Sequence, residues 1–434
     1  MMPRAFSLTV LAIILNIGSG QALAADTLPA VMRSAAAGLQ PQSAAEQAEA
    51  STAQRLSAQR QAWLPSLSLE ANAARVRNLA QIQTPNGAFT LGENDLYDVT
   101  LSLRQPLLNW SAQKYGVKAL RQNEEAAQFQ AQRQARMAAA QAAYAYLDWL
   151  SLQAQLQALS REQRSLEQQL QRIQALVDGG RALDADALDL EVALRQLDQR
   201  RITLDTQMQV LAQNLLRLTG VPVQPQPPRL SAAPVELDSG DDLRQALEQR
   251  RDLQALRAQR EALAAEVNRV RAQALPTLGA EVSVLRTDGN PILPEDDVRA
   301  GVNLRWEPFS SGRRRADRQA AQARLQALEL DLQAFERAIE QELTAARAQI
   351  LQARASARTA AAATVAARDS LQTRRARLEA GRSTLDRVLA AEARLTEQEA
   401  LAQSAQYAEL KASIAYRLAL GTELLPVITE TAPE

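Results

Sequence analysis

Twice in this chain of 434 residues a short alternating segment runs into a helical pattern far longer than a compact domain needs. In the first case Tyr97, Val99, Leu101 and Leu103 fall on one face and Asp98, Thr100, Ser102 and Arg104 on the other. A period of two predicts a strand. Pro106 follows, and then about seventy residues free of proline carry a helical pattern. The event recurs at "DVRAGVNLRWEPFSSG", where Val298, Ala300, Val302, Leu304 and Trp306 oppose Asp297, Arg299, Asn303 and Arg305. Long helices are expected over 111–178 and 313–379. Along the second, Leu325, Leu328, Leu332, Phe335, Ile339, Leu343, Ala346 and Ile350 recur at steps of three or four, which is a coiled-coil seam. At 1.5 Å per residue each long helix reaches roughly 100 Å. Helices of that length span a gap.

The composition agrees and removes several alternatives. Ala, Leu, Gln, Arg and Glu dominate, all of them helix formers except where context overrides. Lys+Arg and Asp+Glu both number 49, so no basic surplus exists for nucleic acid. Cysteine and histidine are absent, which excludes thiol nucleophiles, disulfides, zinc sites and histidine-based triads. No phosphate-binding glycine loop is present; "DGGRALD" lacks both its spacing and its lysine. An enzyme is not expected, and no cofactor is.

The first residues read as a secretory signal over 1–24. Arg4 precedes an apolar run from Phe6 to Ile17, and Ala22-Leu23-Ala24 supplies the cleavage pattern. The run is short for a membrane-spanning helix. No cysteine stands at the cut, so no lipid anchor is expected there. With no other long apolar run, a return to the membrane has to be made by a β-barrel.

The chain also repeats itself. "RQAWLPSLSLEA" aligns with "RAQALPTLGAEV" through Arg60 and Arg271, Leu64 and Leu275, Pro65 and Pro276. Pro106 pairs with Pro308. "LVDGGRALDADALDLE" aligns with "RLEAGRSTLDRVLAAE" through Gly180 and Gly381, Arg181 and Arg382, Leu188 and Leu389, Glu191 and Glu392. "NLLRLTG" ends at Gly220 and "YRLALG" at Gly421. Four matches in one order indicate a duplication. The expected organisation is a first repeat over 25–220, a proline-rich linker over 221–239, a second repeat over 240–421 and a tail over 422–434. Each repeat reads as helix, strand, loop, strand, long helix, glycine turn and shorter helix. Strands are expected at 66–76, 97–105, 277–287 and 297–307. The helix 183–219 with 240–274, and 383–420 with 30–63, each match a long helix in summed length. Two short helices stacked end to end would then flank each long one, with the linker at mid-height.

Four strands of this length and pattern suit a bilayer-spanning barrel with a wet lumen. A soluble sheet packed on helices is the alternative. The signal, the direct passage from strand to long helix, and Tyr97, Trp110 and Trp306 near strand ends favour the barrel. Four strands cannot close alone. Two copies give eight, too narrow for an aqueous channel, whereas three give twelve.

These features resemble the TolC family of outer-membrane efflux proteins across essentially the whole mature chain. "LPSLSL" and "LPTLGA", "RQPLLNW" and "EPFSSG", "GRSTLDRVLAAEARL", and the closing "LRLTG" and "YRLALG" carry the resemblance through their duplicated order. The fold class implied is mainly α with a β-barrel contribution. Long helical hairpins and four strands per chain would form a trimeric 12-stranded outer-membrane barrel on a 12-helix periplasmic tunnel. The resemblance also implies outer-membrane lipid as surroundings, a periplasmic adaptor (membrane fusion protein) and an inner-membrane pump as partners, and passive conduction. At the tips it implies adaptor contact through Gly180, Arg181, Leu183, Gly381, Arg382, Ser383, Thr384 and Leu385. Relatives carry an aspartate ring past the second tip; here those places read Arg387 and Ala390, while Asp386 lies one residue early. Asp184, Asp186 and Asp189 place acid in the first repeat instead. A cation-selective constriction is one reading of these four aspartates, and first-turn acids favoured by the helix dipole are the other. Pro106 and Pro308 would end the strand ladder and begin the helices. Two rivals remain. A periplasmic adaptor would need lipoyl-like β domains and an anchor. A soluble coiled-coil scaffold explains the helices but not four alternating strands at matched places.

Overall fold

The computed structural model describes residues 27–38, 50–77, 81–90, 93–181, 183–226, 230–232, 237, 241–288, 294–380, 382–424 and 428–430, apart from positions 52, 59, 62, 86 and 109. The signal segment expected at 1–24 and Gly381 lie outside them. In chain order the first repeat contains α1 (Leu28–Ala36), helical residues 50–51, 53–58 and 60–61 (α2), β1 (Ser66–Arg75), β2 (Gln81–Thr84), β3 (Gly87–Thr90) and β4 (Asp95–Leu108), then α3 (Trp110–Asp178) and α4 (Asp184–Thr219). The linker contributes β5 (Leu230–Ala232). The second repeat contains α5 (Asp242–Gln249), α6 (Arg251–Ala272), β6 (Thr277–Asp288), β7 (Asp296–Arg305), α7 (Arg313–Glu379) and α8 (Leu385–Leu420), followed by β8 (Ile428–Glu430).

The four expected strands form one antiparallel sheet in the order β1-β4-β6-β7. Its register aligns the alternation across all of them. Leu69 faces Leu101, Leu101 faces Val284, and Val284 faces Val298. On the other face Ser66, Arg104 and Glu281 form a polar row, with Arg104 Nε 3.0 Å from Glu281 Oε1. A shift of one residue would exchange the two faces, so this register is strongly specified. β2 and β3 make a small hairpin in the loop between β1 and β4, and β5 pairs with β8.

The two long helices have 69 and 67 residues, at the expected places. α3 packs against α1, α4, α6 and α8; α7 packs against α6 and α8. The seam is real: Ile339, Leu343, Ala346 and Ile350 are buried, and Leu332 and Phe335 pack beside them. The main core lies at mid-height, where α1, α3, α4, α8 and the start of the linker converge. There the buried alanines 139, 140, 142, 143 and 145 of α3 allow close approach around Tyr146, Leu147, Leu215 and Ile414.

Three expectations need correction. First, the stacking pairs are exchanged. α8 stacks on the α5–α6 segment, since the Arg250 guanidinium donates to Ala419 O at 3.4 Å and Gly421 abuts the Arg250 backbone. α4 meets the α1 end, where a Cβ on Gly38 would stand 3.0 Å from Leu218 O. The linker explains the exchange: it leaves α4 and passes Tyr146 of α3, whose hydroxyl donates to Gln226 O at 2.8 Å. Second, neither short partner is one helix. The segment 240–274 breaks at Arg250, which is extended at φ −67 and ψ 119, because the end of α8 occupies the place a continuous helix would need. The segment 30–63 first ends at Ala36. Third, neither proline starts a helix. Pro106 sits inside β4 at a bulge against β6, just past the last β1 pair at Arg104. There its missing N–H breaks no β1 ladder bond. Pro308 lies between β7 and α7, and the turn is made instead by Ser311 and Gly312 at positive φ.

Candidate functional site

The first tip is the turn between α3 and α4. Gly180 adopts φ 67, and the chain closes on α3 with Gly180 N donating to Val177 O at 2.8 Å and Arg181 N to Leu176 O at 2.7 Å. This left-handed closure is the glycine-dependent end of a helix. At the second tip the matching hydrogen bond is made, with Arg382 N donating to Arg377 O at 2.7 Å. Arg181, Leu183, Arg382 and Thr384 are exposed, Leu183 at 70%, and Ser383 is half-buried. The α3–α4 and α7–α8 hairpins are tied together well above the tips, by Arg161 to Glu399 at 3.1 Å and by Ser151 to Ser404 at 2.8 Å.

The four candidate aspartates differ in what they do. Asp186 accepts the Leu183 amide at 3.3 Å while its own amide donates to Leu183 O at 3.0 Å, a reciprocal closure of the α4 start. Asp184 also lies in the first turn of α4, and Asp386 lies in the first turn of α8. Negative charge there is favoured by the helix dipole. Asp189 is exposed one turn further on. A helix-start role therefore accounts for three of the four in the single chain, whatever else they do in an assembly.

The sheet is the second functional surface. Its apolar face is uncovered: Leu67 and Leu69 of β1 are 67% and 70% exposed, and Val298, Val302 and Leu304 of β7 are 66–68%. β1 and β7 are edge strands with a partner on one side only among the described residues. Tyr97 and Trp306 are exposed at strand ends. A water-soluble protein would cover both the face and the edges. Among the described residues no helix is long and apolar enough to cross a membrane, and no group of acidic side chains is placed to hold a metal.

A buried charged node at mid-height was not anticipated. Arg250, 3% exposed, donates to both oxygens of Asp252 at 3.0 and 2.7 Å and to Glu342 Oε2 at 2.5 Å. Arg133 of α3 approaches Asp252 at 3.3 Å, and Arg136 donates to Gly421 O at 2.5 Å. The Tyr416 hydroxyl donates to Asp242. Burial disfavours the charged Asp252, but the hydrogen bonds and charge of Arg250, with the charge of Arg133, hold its carboxyl below the usual range. Burial lowers Arg133, and Asp252 partly offsets this. The acid two places after Arg250 is a sequence-visible helix start; nothing in the sequence marks Glu342 or Ala419 as its neighbours.

An exposed apolar sheet standing on hairpins of about 100 Å defines the subunit of a membrane channel whose wall continues as a helical tube. The chain belongs to the outer membrane efflux protein family, whose model matches residues 33–221 and 243–422. Comparison with curated protein sequences finds no match. Among solved structures the chain is similar to the CmeC outer membrane channel of Campylobacter jejuni, with a TM-score of 0.76 at 14% identity over 94% of this chain and 87% of that one. It is similar to a membrane protein from Pseudomonas aeruginosa, with a TM-score of 0.74 at 20% identity over 91% and 90%. The open-state MtrE outer membrane channel of Neisseria gonorrhoeae gives 0.72 at 18% identity over 92% and 90%. At these identities the likeness establishes the shared fold.

Proposed function

We propose that this protein is the outer-membrane exit duct of a tripartite efflux or type I secretion system. The observation that carries the reading is the sheet, with its uncovered apolar face, its two open edges and its direct continuation into α3 and α7. Three copies of a four-stranded sheet close as twelve strands and leave a wet lumen lined by the polar face. The helices then form the periplasmic tunnel. The protein resides in the outer membrane of a Gram-negative cell without a lipid anchor, since it has no cysteine to carry one. Conduction is passive and uses neither a catalytic residue nor a cofactor; an inner-membrane pump supplies the energy through a periplasmic adaptor.

The adaptor contacts Gly180, Arg181, Leu183, Gly381, Arg382, Ser383, Thr384 and Leu385. The exposure of Leu183 and the matched closures at Arg181 and Arg382 support this assignment. Asp184, Asp186, Asp189 and Asp386, each present three times around the axis, make the narrow end cation-selective. Replacing these four by Asn and finding unchanged ion selectivity in planar bilayers would dismiss that assignment. The duct itself is tested by single-channel conductance of the purified protein alongside its mass in detergent. A trimer mass with stable openings is expected. A monomer mass with a silent bilayer would leave a soluble helical scaffold as the reading.

A further inference from the structure

We propose that the periplasmic end of the sheet carries a basic and aromatic collar that binds the phosphate headgroups of anionic phospholipid in the periplasm-facing leaflet. The inference rests on the reading of the sheet as a barrel wall. It begins from a reversal of charge within a chain of zero net charge. The helices α4, α5, α6 and α8 all begin with aspartate in the first turn: Asp184 and Asp186, Asp242, Asp252, and Asp386. That is the sign a helix start favours. The two helices that begin where the strands end lack this acid, as α1 also does. α7 opens with Arg313, Arg314 and Arg315 and has no acid in its first turn, and α3 has none in its own.

Beside α3 the reversal becomes a built groove. A cavity of about 770 Å³ is lined by Arg60, Trp63, Lys114, Lys118 and Arg121. Two of the three lysines of the whole chain stand here. The groove lies directly under the strands, because Trp63 O accepts a hydrogen bond from Gln105 Nε2 of β4 at 2.8 Å. Gln105 follows the alternation of Leu101 and Leu103, so this contact is made on the apolar side of the sheet. Its cations are poorly matched within the protein. Lys118 reaches Glu261 only at 3.9 Å, and Arg60, Lys114 and Arg121 pair with no described acid.

The second strand-to-helix junction repeats the composition. Arg313 and Arg314 share the single carboxylate of Glu307, at 3.0 and 3.2 Å, and Arg315 and Arg318 pair with no described acid. Trp306 and Phe309 stand next to them, 59% and 80% exposed. Aromatic rings favour the headgroup level, and cations just beyond it are drawn to anionic lipid. Aromatic rings, sparsely paired cations and the ends of the strands of an apolar sheet thus coincide at both strand-to-helix junctions, with Trp63 half-buried at the first and Trp306 and Phe309 exposed at the second.

The test uses the full-length protein in detergent, offered phosphatidylglycerol or phosphatidylcholine of identical chains, with retained lipid read by native mass spectrometry. The unchanged protein should retain the anionic lipid in preference. Near an anionic surface each cation contributes up to about fivefold, so Lys114→Gln/Lys118→Gln/Arg121→Gln should lower that preference by up to about a hundredfold, and Arg315→Gln/Arg318→Gln by up to about twenty-fivefold. Both variants should open channels in planar bilayers as the unchanged protein does. Equal retention of the two lipids, or a preference that neither variant alters, overturns the collar while leaving the duct standing. An unchanged protein that forms no channel overturns both.

Discussion

Replacing Leu101 by Lys separates a barrel wall from a soluble sheet more sharply than any truncation. Leu101 lies near the middle of β4, between Leu69 on β1 and Val284 on β6, and is 42% exposed in the single chain. On a water-facing sheet such a change is worth no more than about 0.5 kcal/mol. On the lipid face of a barrel, a lysine near the midplane costs about 2–4 kcal/mol. Three symmetric copies bring the total to roughly 6–12 kcal/mol, comparable to the whole stability of an ordinary folded domain. Asn72→Lys is the matched control, because Asn72 lies on the polar face opposite Asp98, where a new cation meets water and an acid. The assay is the fraction of each variant that stays with outer membranes through a carbonate wash, together with its trimer fraction in detergent. Leu101→Lys should fall severalfold in both while Asn72→Lys stays near the unchanged protein. Equal behaviour of the two variants would refute the assignment of the apolar face to lipid.

Arg250→Met should lower stability by about 2–4 kcal/mol, since it leaves two carboxylates against a buried site with only Arg133 nearby. Thermal melts followed by circular dichroism should fall by several degrees, and adding Asp252→Asn should recover part of the loss. Acid should act at the same node. The Asp252 carboxyl is depressed in the folded state, so its stabilisation is complete above the unfolded value near 4 and is lost as pH falls through the folded value. Melting temperatures should therefore show no contribution from Asp252 to any change between pH 5 and 8, and Asp252→Asn should remove part of the decline below about pH 4. Tyr146→Phe deletes the hydroxyl that donates to Gln226 O at 2.8 Å and accepts from Gln226 N at 3.2 Å. Gln226 is exposed, so water can take the place of the hydroxyl, and a loss of about 0.5–1.5 kcal/mol is expected, measured as faster proteolysis of the linker.

What could be read from the sequence, and what could not, divides by the range of the interactions. The strands and long helices are set by periodicity along one segment, and their bounds fall within a few residues of expectation because the pattern of Leu101 and Leu103, or of Ile339 and Leu343, is local. Gly180 was legible for the same reason, as a glycine at the end of a periodic run is a helix stop wherever the helix goes. The stacking of the short helices was not, because summed length is indifferent to which short helix meets which. What decides the matter is a set of contacts between residues far apart in the chain: Arg250 to Ala419, Gly38 to Leu218, and Tyr146 to Gln226. The same contacts give the linker its role. A chain that passes around α3 at Tyr146 delivers α5 and α6 to the side of α3 that α8 will later occupy. The groove between α3 and α7 is thereby filled by the second repeat alone, and α4 with α1 is left on the opposite flank of α3. Each subunit thus ends in one long helix, α7, on one side and a stacked pair on the other. Two flanks so unlike suit a head-to-tail contact between neighbouring copies, and a ring is the way such contacts close.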